Sequence, residues 1–434
     1  VPASQGLATT LEADRKAALQ IYEAEELPTW RRSGFWTTSL RDLDFDALAT
    51  KHYEPVSSRQ ELPQVVQEAI EGEEYAGLIV QQGATIIYSE VAEDNPEGVI
   101  VSSLEDAFAN HQELAEKFYG TRVSAQDGKF AAANAAMWTG GAFFYVPPKV
   151  QMEKPFQVIN VIDEPGVTQY GRLLAIVDTS ANAGIREYNL APDIDGQALH
   201  AGISEVFVEP NAWAKVKTFQ DWGAGEIYDI STKRVRIARD AHARWFPIHL
   251  GGRLTKQTLD IITAEDGSDM RHNGVYFTQG NEHLDLFTTD MHESGNTTGD
   301  TVWKGAATGK SRASYEGLIE IVEGAQNSHT YLQTHSLMLS KDAKVDAIPS
   351  LIVKTDDVSA SHGGTVGEVD EDQVFYMRTR GIPRETAIRI LIEGFFEPVI
   401  TLFEDEHLEN MVRERIAGKL AEAHEDILAY AATK

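Results

Sequence analysis

Hydrophobic and polar positions divide this chain into three stretches of different period. Over the first ~125 residues apolar side chains recur at helical spacing, with Leu11, Ala18, Leu19 and Tyr22 in one stripe and Leu104, Ala107, Phe108 and Leu114 in another. From about Ala142 the period shortens to two. AFFYVP, KPFQVINVI, GRLLAIVD, SEVFVE, AWAKVKTF, RVRIARD, TLDIIT, NGVYFTQG, HLDLFTTD, SYEGLIEIVEG, SHTYLQTHSLML and AIPSLIVKT read as short strands separated by Gly, Asn, Asp and Pro. After Val369 the helical period returns. The pattern therefore predicts a mainly helical N-terminal region over 1–141, a β core over 142–368 and a helical C-terminal domain over 369–434.

Many short strands suit either a sandwich or a stacked parallel coil. Asx-Gly hairpin signals are few, namely Asp127-Gly128, Asp195-Gly196, Asp266-Gly267 and Asn273-Gly274, which favours the coil weakly and leaves the choice open. In the C-terminal domain Asp370 is placed to cap a helix, with Gln373 three residues on, and Gly381 to stop it. Pro383 fits the first turn of a second helix, whose stripe of Ala387, Ile388, Leu391, Ile392 and Phe395 precedes Pro398. A third helix carries Leu408, Met411, Val412, Ile416 and Leu420. Such stripes must be buried on the strands, on a partner, or on both. Near the start, WRRSGFWTTSLRDLDFDAL brings Trp30 and Trp36 close together, the mark of a packed subdomain.

With 434 residues, 42% of them hydrophobic, the chain can bury a large core. Lys and Arg total 38 against 67 Asp and Glu, and the formal charge of -29 argues against nucleic acid and anionic membrane surfaces as partners. No apolar run nears the roughly 20 residues that span a bilayer, and the first residues lack the order of a secretory signal, so a cytoplasmic address is expected. There is no cysteine. That excludes disulfides, a thiolate nucleophile and a zinc or iron–sulfur site built on the chain's own thiolates.

Local motifs supply little catalytic chemistry. GAATGKS at 305–311 is one residue short of a phosphate loop and leads into a strand-like run, so it reads as a turn. GGTVG at 363–367 lacks a dinucleotide spacing, and its glycines read as corner-makers. His272 and His283, the DMH at 290–292, and His329 with His335 are histidines in suggestive places. The last two, if on one straight strand, would lie roughly 20 Å apart, too far for one ion. No nucleophile elbow, H-E-x-x-H helix or isolated carboxylate pair stands out. The residues point to a scaffold or a subunit.

Four stretches, taken in order, resemble the SufB/SufD family of iron–sulfur cluster assembly proteins: WTTSLRDL, GGAFFYVPPKVQMEKP, WKGAATGKSRASYEGLIEIVEGAQNSHTYLQTHSLMLS and DDVSASHGGTVGEVDEDQVFYMRTRGIP. Lacking cysteine, the chain is most similar to the SufD branch. The resemblance implies a right-handed parallel β-helix with helical flanks, non-catalytic. It also implies pairing with SufB through the β-helix, and a SufC ATPase held by the C-terminal helices. His362 falls on the histidine of the family's C-S-H-G-A-T-V-G stretch, with Ala360 in place of the usual cysteine. The resemblance thus makes His362 the candidate ligand for a transient iron–sulfur cluster or iron at the SufB interface, with no cofactor stably bound by the isolated chain. Phe375, Tyr376, Arg378, Arg380, Gly381, Ile382, Pro383, Ile388, Leu391 and Ile392 would form the ATPase-docking platform. Two alternatives are a stand-alone β-helix enzyme acting on a polysaccharide and a homodimeric paralogue in which two copies of His362 meet.

Overall fold

The structure is a computed structural model that describes residues 9–32 and 36–431. Residues 1–8, in which a secretory signal was sought, and the Trp36 side chain lie outside the described residues. Strand makes up 41% and helix 25%, and about eight turns of a β-solenoid form the core, with helices in the N- and C-terminal regions.

Every run that alternation marks from Ala142 onward is a strand, and successive strands fall into two long parallel sheets. Each strand pairs with its equivalents one coil before and after, so residues in register stack into columns about 4.8 Å apart. One interior column runs Phe156, Ile185, Val216, Trp245, His272, Thr301, Leu332 and His362. Strands at Asn182–Leu190, Thr298–Ala307 and Ser359–Gly367 carry too many polar or glycine residues to show the alternation, and in His242–His249 the run Trp245, Phe246, Pro247 and Ile248 breaks it.

The N-terminal region is less helical than its stripes suggest. Its strands Gly77–Gln82 and Thr85–Val91 extend the first sheet, and Ile100–Ser103 extends the second, with the outermost pairing antiparallel in each. Helices around Leu104, Ala107 and Phe108 cover the outer face of the second sheet at Phe143, Leu174 and Phe207. Buried Glu205 fastens this layer: it pairs with Arg172 at 2.9 Å and accepts the backbone N–H groups of Gly120 (2.9 Å), Arg122 (2.9 Å) and Val123 (3.1 Å).

C-terminal helices cover the outer face of the first sheet, where Ile388, Ile392 and Phe396 pack with Phe219, Ile248 and Phe277. One carboxylate ties them down. Asp405 lies 2.6 Å from both Arg186 and Lys217 of the coil and also caps the helix Glu406–Glu422 by accepting from the Leu408 N–H. The preceding helix Arg384–Ile400 runs through Pro398, and a further helix spans His424–Ala431.

Inside the coil, large and absent side chains alternate. Tyr276 lies in register with Gly305, and its hydroxyl reaches Ser336 two coils away, at 2.7 Å. A Cβ on Gly305 would sit 1.9 Å from the Tyr276 ring. Gly305→Ala is therefore expected to cost about 1–3 kcal/mol through overpacking, read as a lower urea midpoint at unchanged m-value.

Candidate functional site

Open edges mark one end of the coil. The last strands of the two sheets, Lys344–Val353 and Ser359–Gly367, each have a hydrogen-bonded neighbour on one side only. Antiparallel strands finish the opposite end. Side chains of interior parity, which are sealed elsewhere, reach solvent here: Val353 stacks on fully buried Ile321 yet is 41% exposed, and Val366 is 39% exposed. A sheet edge with apolar exposure is a template for another strand.

His362 sits in the middle of this edge. It pairs in register with Leu332, which is fully buried, while Ala360, two residues earlier and of the same parity, packs against the interior cluster. The imidazole thus belongs to the inward-facing column and is exposed because no further coil covers it. The expected corner is elsewhere. Gly363, Gly364 and Gly367 lie within the strand with no positive φ, and the left-handed residue is Asp357, at φ 63°. Asp357 ends a stack of corners that includes Asn211, Asp240, Asn296 and Asn327, residue types that tolerate this conformation.

The other histidines stay apart. His272 is buried inside the coil, stacked 5.0 Å from Trp245, with Nδ1 3.3 Å from Asp290. His292 lies 2.7 Å from Thr297, and burial pushes its pKa down to about 4. His283, outside the second sheet, contacts Thr38 at 3.2 Å; burial likewise pushes it down to about 4. His335 bonds Thr365 at 2.8 Å, while His329 stands at the start of the same strand. Among the described residues no three His, Asp or Glu side chains are grouped so as to hold a metal ion. A metal at His362 would therefore need ligands from another chain. Buried His200 and His249, which composition gave no reason to single out, lie within the coil.

The C-terminal helices give a second surface. Asp370 caps the first by accepting from the Asp372 and Gln373 N–H groups, and Gly381, at φ 87°, follows its end. Phe375 and Tyr376 are 67% and 60% exposed, with Arg378 exposed beside them and Arg380 over the Tyr376 ring at 5.3 Å. Arg384 forms a two-pronged pair with Glu371 at 2.7 Å. The docking stripe needs correction: Ile388 and Ile392 are buried against the coil, and Ile382 and Leu391 are half-buried against the same cluster. The stripe is chiefly the helices' attachment to the coil. At its margin Ile388 and Ile392 still floor a groove of about 360 Å³ with Leu420 and His424.

The chain is similar to known proteins. Residues 160–395 match the family described as SUF system FeS cluster assembly, SufBD core domain, and residues 3–158 match the SufBD protein N-terminal region. An iron-sulfur cluster assembly SufBD family protein of Staphylococcus epidermidis is 27% identical over 397 residues, covering 88% of this chain and 84% of the relative. Its counterparts in Staphylococcus saprophyticus and Staphylococcus aureus are 27% identical over 376 residues, 84% of this chain and 80% of each relative. Among the described residues no helix is long and apolar enough to cross a membrane.

Proposed function

Because the chain belongs to the SufBD family of iron–sulfur cluster assembly proteins, we propose that it is a non-catalytic scaffold subunit of SufD type. In this reading it pairs with SufB through the open end of the coil and carries SufC on its C-terminal helices. The observation that carries the reading is His362 on an unpaired strand edge. Backbone N–H and C=O groups there suit the addition of a strand from another chain. Such a strand would cover the inward column and bring foreign side chains to the imidazole. Imidazole is a borderline ligand that, with a thiolate or carboxylate from SufB, can hold iron or a nascent cluster as cargo. Because the chain has no cysteine, the thiolate in this reading comes from SufB.

Exposed Phe375 and Tyr376, flanked by Arg378 and Arg380, have the composition of a protein contact, apolar at the centre and cationic at the rim. Family membership favours this reading over the polysaccharide-enzyme alternative.

The test is His362→Ala co-expressed with SufB and SufC. The expected result is an intact complex that accumulates little or no cluster, followed by iron and sulfide content and by visible absorption. Normal cluster on an intact complex would overturn the ligand role, whereas loss of the complex would assign His362 to the interface alone.

A further inference from the structure

A cationic cavity lies far from His362 in sequence, on the outer side of the second sheet where its strands begin. It encloses about 380 Å³ beneath the segment Thr37–Asp42 and is lined by Arg41, Arg253, Lys310 and Arg312. The coil brings three of these together. Arg253 and Arg312 stand two coils apart at the same corner, with Glu282 and His283 in the coil between, linked by the backbone bonds His283 N–H to Arg253 O and Arg312 N–H to Glu282 O. Lys310 sits on the turn before Arg312, its N–H bonded to the Gly280 carbonyl. Arg41 is added from the N-terminal region.

The opposing charges are few. Asp42 and Glu282 are the carboxylates of the lining, and Glu282 is already paired with Lys419 at 2.9 Å. Arg253 reaches Glu226 at 3.4 Å and donates to the Asn281 carbonyl at 2.8 Å. Arg41 donates to Ser39 at 3.3 Å. His283, in the wall, is neutral near pH 7, since burial, aided by Arg312 and Arg253, keeps its pKa at about 4 against the pull of Asp285. It adds no charge.

A concentration of cations is unexpected in a chain of net charge -29. Like charges gathered around one hollow repel one another, and an anion held among them lowers that cost. Overall negative charge turns away long polyanions, but the Debye length is about 8 Å at physiological salt, so a small anion in the cavity responds to the local cations. Arg and Lys donors arranged around a hollow suit phosphate oxygens, which take charge-assisted and two-pronged hydrogen bonds. The volume exceeds one phosphate and falls in the range of small-ligand sites.

We infer that this cavity binds a small phosphate-bearing anion, with Lys310, Arg312, Arg253 and Arg41 as its donors. The GAATGKS stretch thereby takes part in anion binding through the Lys310 side chain, without a phosphate-loop backbone. Its role is independent of the strand edge and of His362.

Calorimetric titration of the full chain with pyrophosphate, orthophosphate and ADP tests the site. Saturable binding of pyrophosphate is expected, stronger than that of orthophosphate and weakened by added sodium chloride. Lys310→Gln and Arg41→Gln, both at exposed positions, should each weaken it about tenfold at an unchanged thermal midpoint. Lys16→Gln, an exposed lysine on the N-terminal helix Thr9–Ala24, should leave it unchanged. Tighter binding of ADP than pyrophosphate would identify a nucleotide as the physiological source, and the reverse a free anion. Absence of saturable binding, or equal losses in Lys310→Gln and Lys16→Gln, would overturn the inference.

Discussion

Asp405→Ala is expected to loosen the C-terminal helices from the coil at a cost of about 3–5 kcal/mol, because it leaves Lys217 buried without its carboxylate and Arg186 with Glu73 alone. Side-chain exposure is 10% for Arg186, 6% for Lys217 and 4% for Asp405, so water replaces little of what is lost. The Leu408 cap is lost too. Hydrogen exchange should rise across 370–431 before it rises in the coil; equal protection in both proteins would refute the clamp. Asp405→Asn separates the contributions, keeping a cap acceptor while removing the charge.

The same contact sets an acid limit. Burial acts to raise the Asp405 pKa, but Arg186 and Lys217 outweigh it and hold the carboxyl below its usual range. A depressed carboxyl contributes its full stability above the unfolded value, about 3.9, and loses it as pH falls through the folded one. Release of the helices by acid should therefore begin below about pH 4. Lys217 is pushed down to about 8, chiefly by burial and despite Asp405, so its pairing weakens in alkali while Arg186 keeps its charge.

Glu205→Ala should have an effect of similar size at the other layer. It strands the Arg172 guanidinium, whose side chain is 1% exposed, and frees three backbone N–H groups of the segment 120–123. The expected loss is about 3–5 kcal/mol, measured by urea unfolding. Restoration is the sharper check: Glu205→Met combined with Arg172→Met should recover much of that loss, since an apolar pair leaves no uncompensated charge. A double variant as unstable as Glu205→Ala would refute this account.

The strands were legible where one face is apolar and the other polar, as in HLDLFTTD. They were illegible where the coil interior itself is polar. Asn189, Gln220 and His249 occupy successive positions of one interior column, so alternation fails there although the strands are regular. Asn273-Gly274 resembled a hairpin turn, yet Gly274 is mid-strand because the Trp303 ring fills its place one coil on. Gly363 and Gly364 misled in the same way: the corner belongs to Asp357. In the C-terminal domain the stripe itself was plain, but its assignment was not. An apolar face looks the same whether it meets its own sheet, as Ile388 and Ile392 do, or another protein. The exposed edge at His362 depends on where the coil stops, which no local pattern records.

A solenoid is close to a one-dimensional array in which each unit leans on its neighbours. Its terminal unit, 344–367, is supported from one side and should be the first to fray. The segment that carries His362 is thus the part of the coil whose ordering gains most from a second chain. If a second chain adds at this edge as proposed, folding of the last coil and assembly of the complex become one event, and cargo would meet an ordered imidazole only after the subunits have joined.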